Sequence, residues 1–107
     1  MEEKFTAVYL MVRSDELKPE DGGAYEGPLQ RQKEECLQFL KEKVGAEGAE
    51  PIEVYTRMNQ LLMDVERHRI KRLVVKDLDR LGNSEEEVQA MLFELRAEGI
   101  EVMTVKG

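Results

Sequence analysis

The stretch Leu73-Val74-Val75-Lys76-Asp77-Leu78-Asp79-Arg80-Leu81-Gly82-Asn83-Ser84-Glu85-Glu86-Glu87 changes character twice within fifteen residues. Leu73 to Val75 is short, branched and apolar, as a strand covered on both faces requires. A polar turn, Asp77 to Leu81, follows at its carboxyl end. Ser84 then opens a helix: its hydroxyl and the Glu87 carboxyl have capping-box spacing, and three glutamates stand at the positive end of the helix dipole. Val88, Met91, Leu92 and Leu95 continue as the buried stripe of that helix, Gly99 ends it, and Ile100 to Val105 reads as another strand.

The same alternation extends upstream. Phe5 to Val12 is apolar on both faces and too short for a buried helix, which predicts a first, central strand. Arg13 to Gly27 collects Asp, Glu, Pro19, Gly22, Gly23 and Gly27 into a loop of the length that compact domains reserve for function or mobility. From Pro28, which suits a first helical turn, Leu29, Cys36, Leu37, Leu40 and Val44 recur at helical spacing, predicting a helix over 28–44 closed by Gly45. Pro51 to Tyr55 supplies a second strand with Ile52 and Val54 on one side. Met58, Leu61, Leu62 and Val65 mark an amphipathic helix of about three turns. The order β-α-β-α-β-α-β implies right-handed crossovers and an α/β fold, a three-layer sandwich with a mainly parallel four-stranded sheet. Ligands of such sheets sit beyond the carboxyl ends of the strands, which directs attention to Arg13–Gly27, the stretch near Thr56, and Asp77–Ser84.

With 107 residues the chain has room for one core, so a single domain over 1–107 is expected. Apolar residues make up 41% and charged residues 36%, with no apolar run able to span a bilayer, and the acidic opening Met1-Glu2-Glu3 leads to the expectation of no signal peptide. A soluble, cytoplasmic protein without membrane contact is the expectation. Cys36 is the sole cysteine, which excludes an intrachain disulfide and a thiolate metal cluster. The formal net charge of −7 and pI of about 4.8 oppose an extended grip on phosphates. The local exception is Arg67-His68-Arg69-Ile70-Lys71-Arg72, where Arg67, Arg69 and Arg72 are candidate contacts for DNA or another anion. A solvated helix end favoured by its dipole accounts for the same run. His68 has no partners for a metal site or a catalytic triad, and the six methionines suit core filling. No glycine-rich phosphate-binding signature occurs, and no cofactor or metal is expected.

Val75-Lys76-Asp77-Leu78-Asp79-Arg80-Leu81-Gly82 resembles the segment after the third strand of serine recombinases, the resolvase/invertase family, commonly V-K-x-L-D-R-L-G/S-R. Val8-Tyr9 through Asp15-Glu16 resembles that family's opening strand, Y-A-R-V-S-T-D-E, and Leu29-Gln30-Arg31-Gln32 its L-x-x-Q helix start. The resemblance implies a resolvase-like catalytic-type domain. The family's chemistry is attack by a serine hydroxyl on a DNA phosphodiester, with arginines neutralising the transition-state charge. Aligned on Tyr9 and Asp15-Glu16, this chain carries Arg13 in the nucleophile's position and Met11 in the first arginine's. Val54-Tyr55-Thr56 matches the second strand end, but Arg57 stands where the family has an aspartate. Asp79 and Arg80 match active-site positions, and Asn83 replaces a second arginine. The family's long helix and DNA-binding domain are not expected within these 107 residues.

These departures imply a catalytically inactive relative acting through protein contacts, as a homodimer or with a full-length recombinase, and touching DNA weakly if at all. One alternative is a minimal DNA strand-transferase: a one-residue slip brings Ser14 to the nucleophile's place beside Arg13, with Arg80 and Asp79 as the remaining catalytic residues. Another is an unrelated α/β binding module with its ligand near Asp15 and Asp79. A phosphoreceiver-like domain would use Asp77 or Asp79, but Arg13 and Ser14 stand where it needs acidic residues. Asp79 and Arg80 suit a remnant anion-binding site, with Arg80 and Arg13 as candidate contacts for DNA or another anion, but suit a capping and salt-bridging turn better.

Overall fold

The computed structural model describes residues 4–45 and 51–106; Met1-Glu2-Glu3 and Gly107 lie outside them. Four strands, β1 (Phe5–Tyr9), β2 (Ile52–Tyr55), β3 (Ile70–Val75) and β4 (Glu101–Thr104), alternate with three helices, α1 (Glu26–Lys43), α2 (Met58–Glu66) and α3 (Glu85–Ala97). The sheet order is β2-β1-β3-β4 with every pairing parallel. This is the three-layer α/β arrangement expected, with β1 and β3 central.

Strand alternation divides the core in two. Ala7 and Tyr9 of β1 and Leu73 and Val75 of β3 face α2 and α3, where Leu61, Val65, Val88, Leu92 and Leu95 close over them. Val8, Leu10 and Val74 face α1, meeting Cys36 and Leu40. Leu73, Val74, Val75 and Leu95 are fully buried, and each such side chain contributes about 1.5–3 kcal/mol by leaving water.

Several boundaries differ from the expected ones. The first strand ends at Tyr9 rather than Val12, because Leu10 makes the last bond to β2 (its N–H to the Tyr55 carbonyl, 2.8 Å) and the Met11 N–H turns to the Gln32 side chain. Helix α1 starts two residues before Pro28, where the missing N–H of a first-turn proline costs nothing. Strand β3 begins at Ile70, three residues before the apolar run, since Ile70 pairs with Phe5 across a register irregularity that precedes Thr6. Ile52 and Val54 share a face as expected, yet remain 42% and 38% exposed because β2 is an edge strand. The expected Arg13–Gly27 loop ends at Tyr25, since Glu26 and Gly27 already belong to α1, and two short 3-10 turns form within it, Ser14–Glu16 and Pro19–Asp21.

Candidate functional site

The loops leaving the carboxyl ends of β1 and β3 are locked to each other by side chains. On the α1 side, Gln32 is buried and holds the Met11 backbone twice: the Met11 N–H donates to Oε1 at 2.9 Å, and Nε2 donates to the Met11 carbonyl at 3.0 Å. Arg80 Nη1 donates to that same carbonyl at 2.8 Å and also to Glu16 Oε1. Glu16 is held in turn by the Arg13 N–H at 3.0 Å. Arg13 then reaches across, its Nη2 donating to the carbonyls of Asp79 at 2.6 Å and Gly82 at 3.0 Å.

Arg80 is therefore an interior residue, its side chain 7% exposed. Its Nε lies 3.4 Å from Asp77 Oδ1, an ion-pair separation without a hydrogen bond, and both atoms are buried. Burial alone would lower the Arg80 pKa. The Glu16 hydrogen bond and the charges of Asp77 and Glu16 outweigh it, and the pKa is raised. The reciprocal effect lowers the Glu16 carboxyl below its ordinary value, chiefly through the hydrogen bond from Arg80. Across this junction one buried cation faces two carboxylates.

Ser14 and Asp79 are exposed. Ser14 opens the 3-10 turn beside Arg13, and Asp79 offers the junction its backbone carbonyl. Ser84 caps α3 as the sequence predicts, its Oγ accepting from the Glu87 N–H at 3.2 Å, and Glu87 returns a carboxylate to the Asn83 N–H at 2.6 Å. Gly82 lies so close to α3 that a Cβ there would stand 2.7 Å from Glu87 Cβ.

Two hollows flank this turn. One, about 380 Å³, opens between the junction and the helices of the α2/α3 layer and is lined by Met11, Met58, Met91, Arg80 and Asn83 among others. The other, about 510 Å³, runs past Arg13, Asp79, Asn83 and Ser84. In the first, methionine and asparagine stand where the resemblance implies arginines.

The basic run is not brought to the junction. Arg67 caps α2, and His68 and Arg69 precede β3, so they lie at the amino end of the strands, opposite the Asp77–Gly82 turn. Arg69 pairs with Asp64 at 3.6 Å, Arg72 with Glu101 at 3.0 Å and His68 with Glu98 at 2.9 Å, while Arg67 is exposed. Among the described residues, no group of three His, Cys, Asp or Glu side chains is placed to hold a metal ion, and no helix is long and apolar enough to cross a membrane.

The sequence reading missed the part played by Glu16, which served only to set the register of the first motif. Gln32 carried a usable signal, since it falls on the Leu29, Cys36, Leu40 stripe, and a polar residue on an apolar stripe needs a buried hydrogen-bond partner.

An all-parallel, three-layer α/β domain with an Asp-Arg turn after its third strand is consistent with a resolvase-like domain. The family model "Resolvase, N terminal domain" matches residues 20–107, and the chain belongs to that family. Membership supports a role related to DNA recombination, in a family whose domains generally bind DNA and form dimers. The match begins after β1, so the placement of Met11 and Arg13 on family positions rests on the resemblance around Tyr9 and Asp15-Glu16. No curated protein matches the chain.

Proposed function

We propose that this domain has lost strand cleavage and acts through protein contacts, pairing with itself or with a full-length recombinase. The observation that carries the reading is the Arg13 side chain: in the nucleophile's position stands a guanidinium donating to the carbonyls of Asp79 and Gly82. A recombinase needs a hydroxyl there, with arginines free to meet the phosphate. Arg80 instead faces Glu16 and Asp77, whose carboxylates would oppose a phosphate's charge. Asp79 and Arg80 then act as a structural turn. Arg67, Arg69 and Arg72 lie at the far end of the sheet and support at most weak, salt-sensitive contact with DNA. A cytoplasmic site of action belongs to the same proposal.

The test is incubation of the protein with supercoiled plasmid, quenched with detergent and probed for covalent protein. No nicking and no adduct are expected, and Arg13→Ser alone should not create either. Fluorescence anisotropy of labelled duplex DNA should show little binding near physiological salt. Nicking by the unaltered protein, with an adduct on Ser14 that Ser14→Ala abolishes, would establish the minimal strand-transferase instead.

A further inference from the structure

We infer that the cleft between α2 and α3 is a docking groove for a basic amphipathic helix of a partner protein. The inference rests on the protein-contact reading and names the chemistry of the contact. Two hollows share the side of Glu94: the 380 Å³ one with Met58, Ala90 and Met91, and a second of about 290 Å³ with Leu62, Phe93 and Ala97. Phe93 is 75% exposed, an unusual state for a large aromatic side chain. Apolar floor and exposed ring together form a groove of the kind that receives helix side chains at i, i+3, i+4 and i+7. Methionines suit it to anchors of varied shape.

The rim selects the occupant by charge. Glu87 and Glu94 border the first hollow, and Glu66, Glu94 and Glu98 the second. Arg80 is the one basic residue among the described residues that line either hollow, and its head is turned to Glu16. From Glu87 to Glu98 the rim runs about 16 Å along α3 at 1.5 Å per residue, enough for three turns of a docked helix. A second copy of this chain is a poor match. Its α2 carries Asp64 and Glu66 with no basic residue, its α3 opens with three glutamates, and α1 balances four acidic residues against four basic ones. A lysine- or arginine-flanked apolar helix meets both the floor and the rim, and complementary charge would speed its association at low salt.

The probe is a 16-residue leucine/lysine amphipathic helix, with a leucine/glutamate counterpart of the same pattern, each titrated into isotopically labelled protein and followed by amide chemical shifts. The expected result is saturable binding of the lysine peptide, with shifts concentrated on α2 and α3 and none with the glutamate peptide. Phe93→Ala and Glu94→Lys should each weaken it by about tenfold or more, the scale of losing one anchor or one close charge contact. Glu42→Lys, on the outer face of α1, should leave it unchanged. Shifts spread evenly over the acidic surface, equal binding by the Glu94→Lys variant, or no saturation would overturn the groove. So would sedimentation showing a dimer that buries Phe93. None of those results would restore strand cleavage, and plasmid nicking would sink the protein-contact reading whatever the peptide does.

Discussion

Arg80, which follows β3, is paired with Glu16, which follows β1, sixty-four residues earlier in the chain. That pair joins the carboxyl ends of the two central strands where the family carries out its chemistry. Arg80 keeps its charge by facing two carboxylates, and the Met11 carbonyl takes a further N–H.

Glu16→Gln should reduce stability at neutral pH by about 1–2 kcal/mol, a charged hydrogen bond discounted for the partial exposure of the glutamate. The Glu16 pKa is lowered on folding from an ordinary value of 4.5. Its contribution is thus fully present above that value and is lost as the pH falls through the lower, folded-state one. Urea unfolding at pH 7 and at successively more acid pH should show the gap between wild type and variant closing. A gap that stays constant would mean the pair contributes nothing pH-dependent.

Gly82→Ala should lower stability by about 1–3 kcal/mol, the usual range for overpacking. The backbone there is extended, at φ −174°, so no conformational strain enters. The cost comes from a methyl group placed 2.7 Å from Glu87 Cβ and 3.0 Å from the Val88 nitrogen. Displacement of the turn should also free Arg13 from the Gly82 carbonyl, visible as faster amide exchange across Asp77–Ser84.

His68→Gly should raise the stability. Helices α2 and α3 end with the same pair of bonds: Arg69 N–H to the Asp64 carbonyl with His68 N–H to Val65, and Ile100 N–H to Leu95 with Gly99 N–H to Arg96. The left-handed residue is Gly99 in one (φ 75°) and His68 in the other (φ 57°). A residue with a Cβ costs about 1–2 kcal/mol in that conformation. Allowing for the greater freedom of glycine in the unfolded chain and the exposed His68–Glu98 contact, a net gain of about 0.5–1 kcal/mol in thermal or urea unfolding is expected.

Cys36 should label with a thiol reagent at pH 8 only as fast as the domain opens. It is fully buried against Val8 and Val74, and burial pushes its pKa from 9.0 up to about 11. The reactive thiolate is therefore scarce in the folded state as well as shielded. Because the folded pKa is the higher one, the unfolded chain ionises first, and stability should decline as pH rises above about 9. Labelling at the rate of a free thiol under native conditions would contradict this burial.

Periodicity and local chemistry determined a large part of this molecule. Apolar triplets such as Leu73 to Val75, the Ser84-to-Glu87 start of α3 and the Val88, Leu92, Leu95 stripe are decided within a few residues, by capping, dipole and burial on one face. The alternation they produce restricts the chain to parallel crossovers, and the Asp77–Gly82 turn carries the family resemblance. Strand ends were less legible, since β1 stops at Tyr9 only because Gln32 takes the Met11 backbone, and Ile70 enters β3 only because Phe5 is there to pair with it. The state of the site was decided by tertiary structure alone. Arg13, Glu16, Gln32 and Arg80 are ordinary polar residues in sequence, and whether a guanidinium meets solvent, a phosphate or a buried carboxylate depends on which loops the sheet order brings together. Here the neighbouring positions of β1 and β3 set Glu16 against Arg80 and Arg13 against the Asp79 and Gly82 carbonyls, while the direction of β3 carries Arg67 and Arg69 to the opposite end.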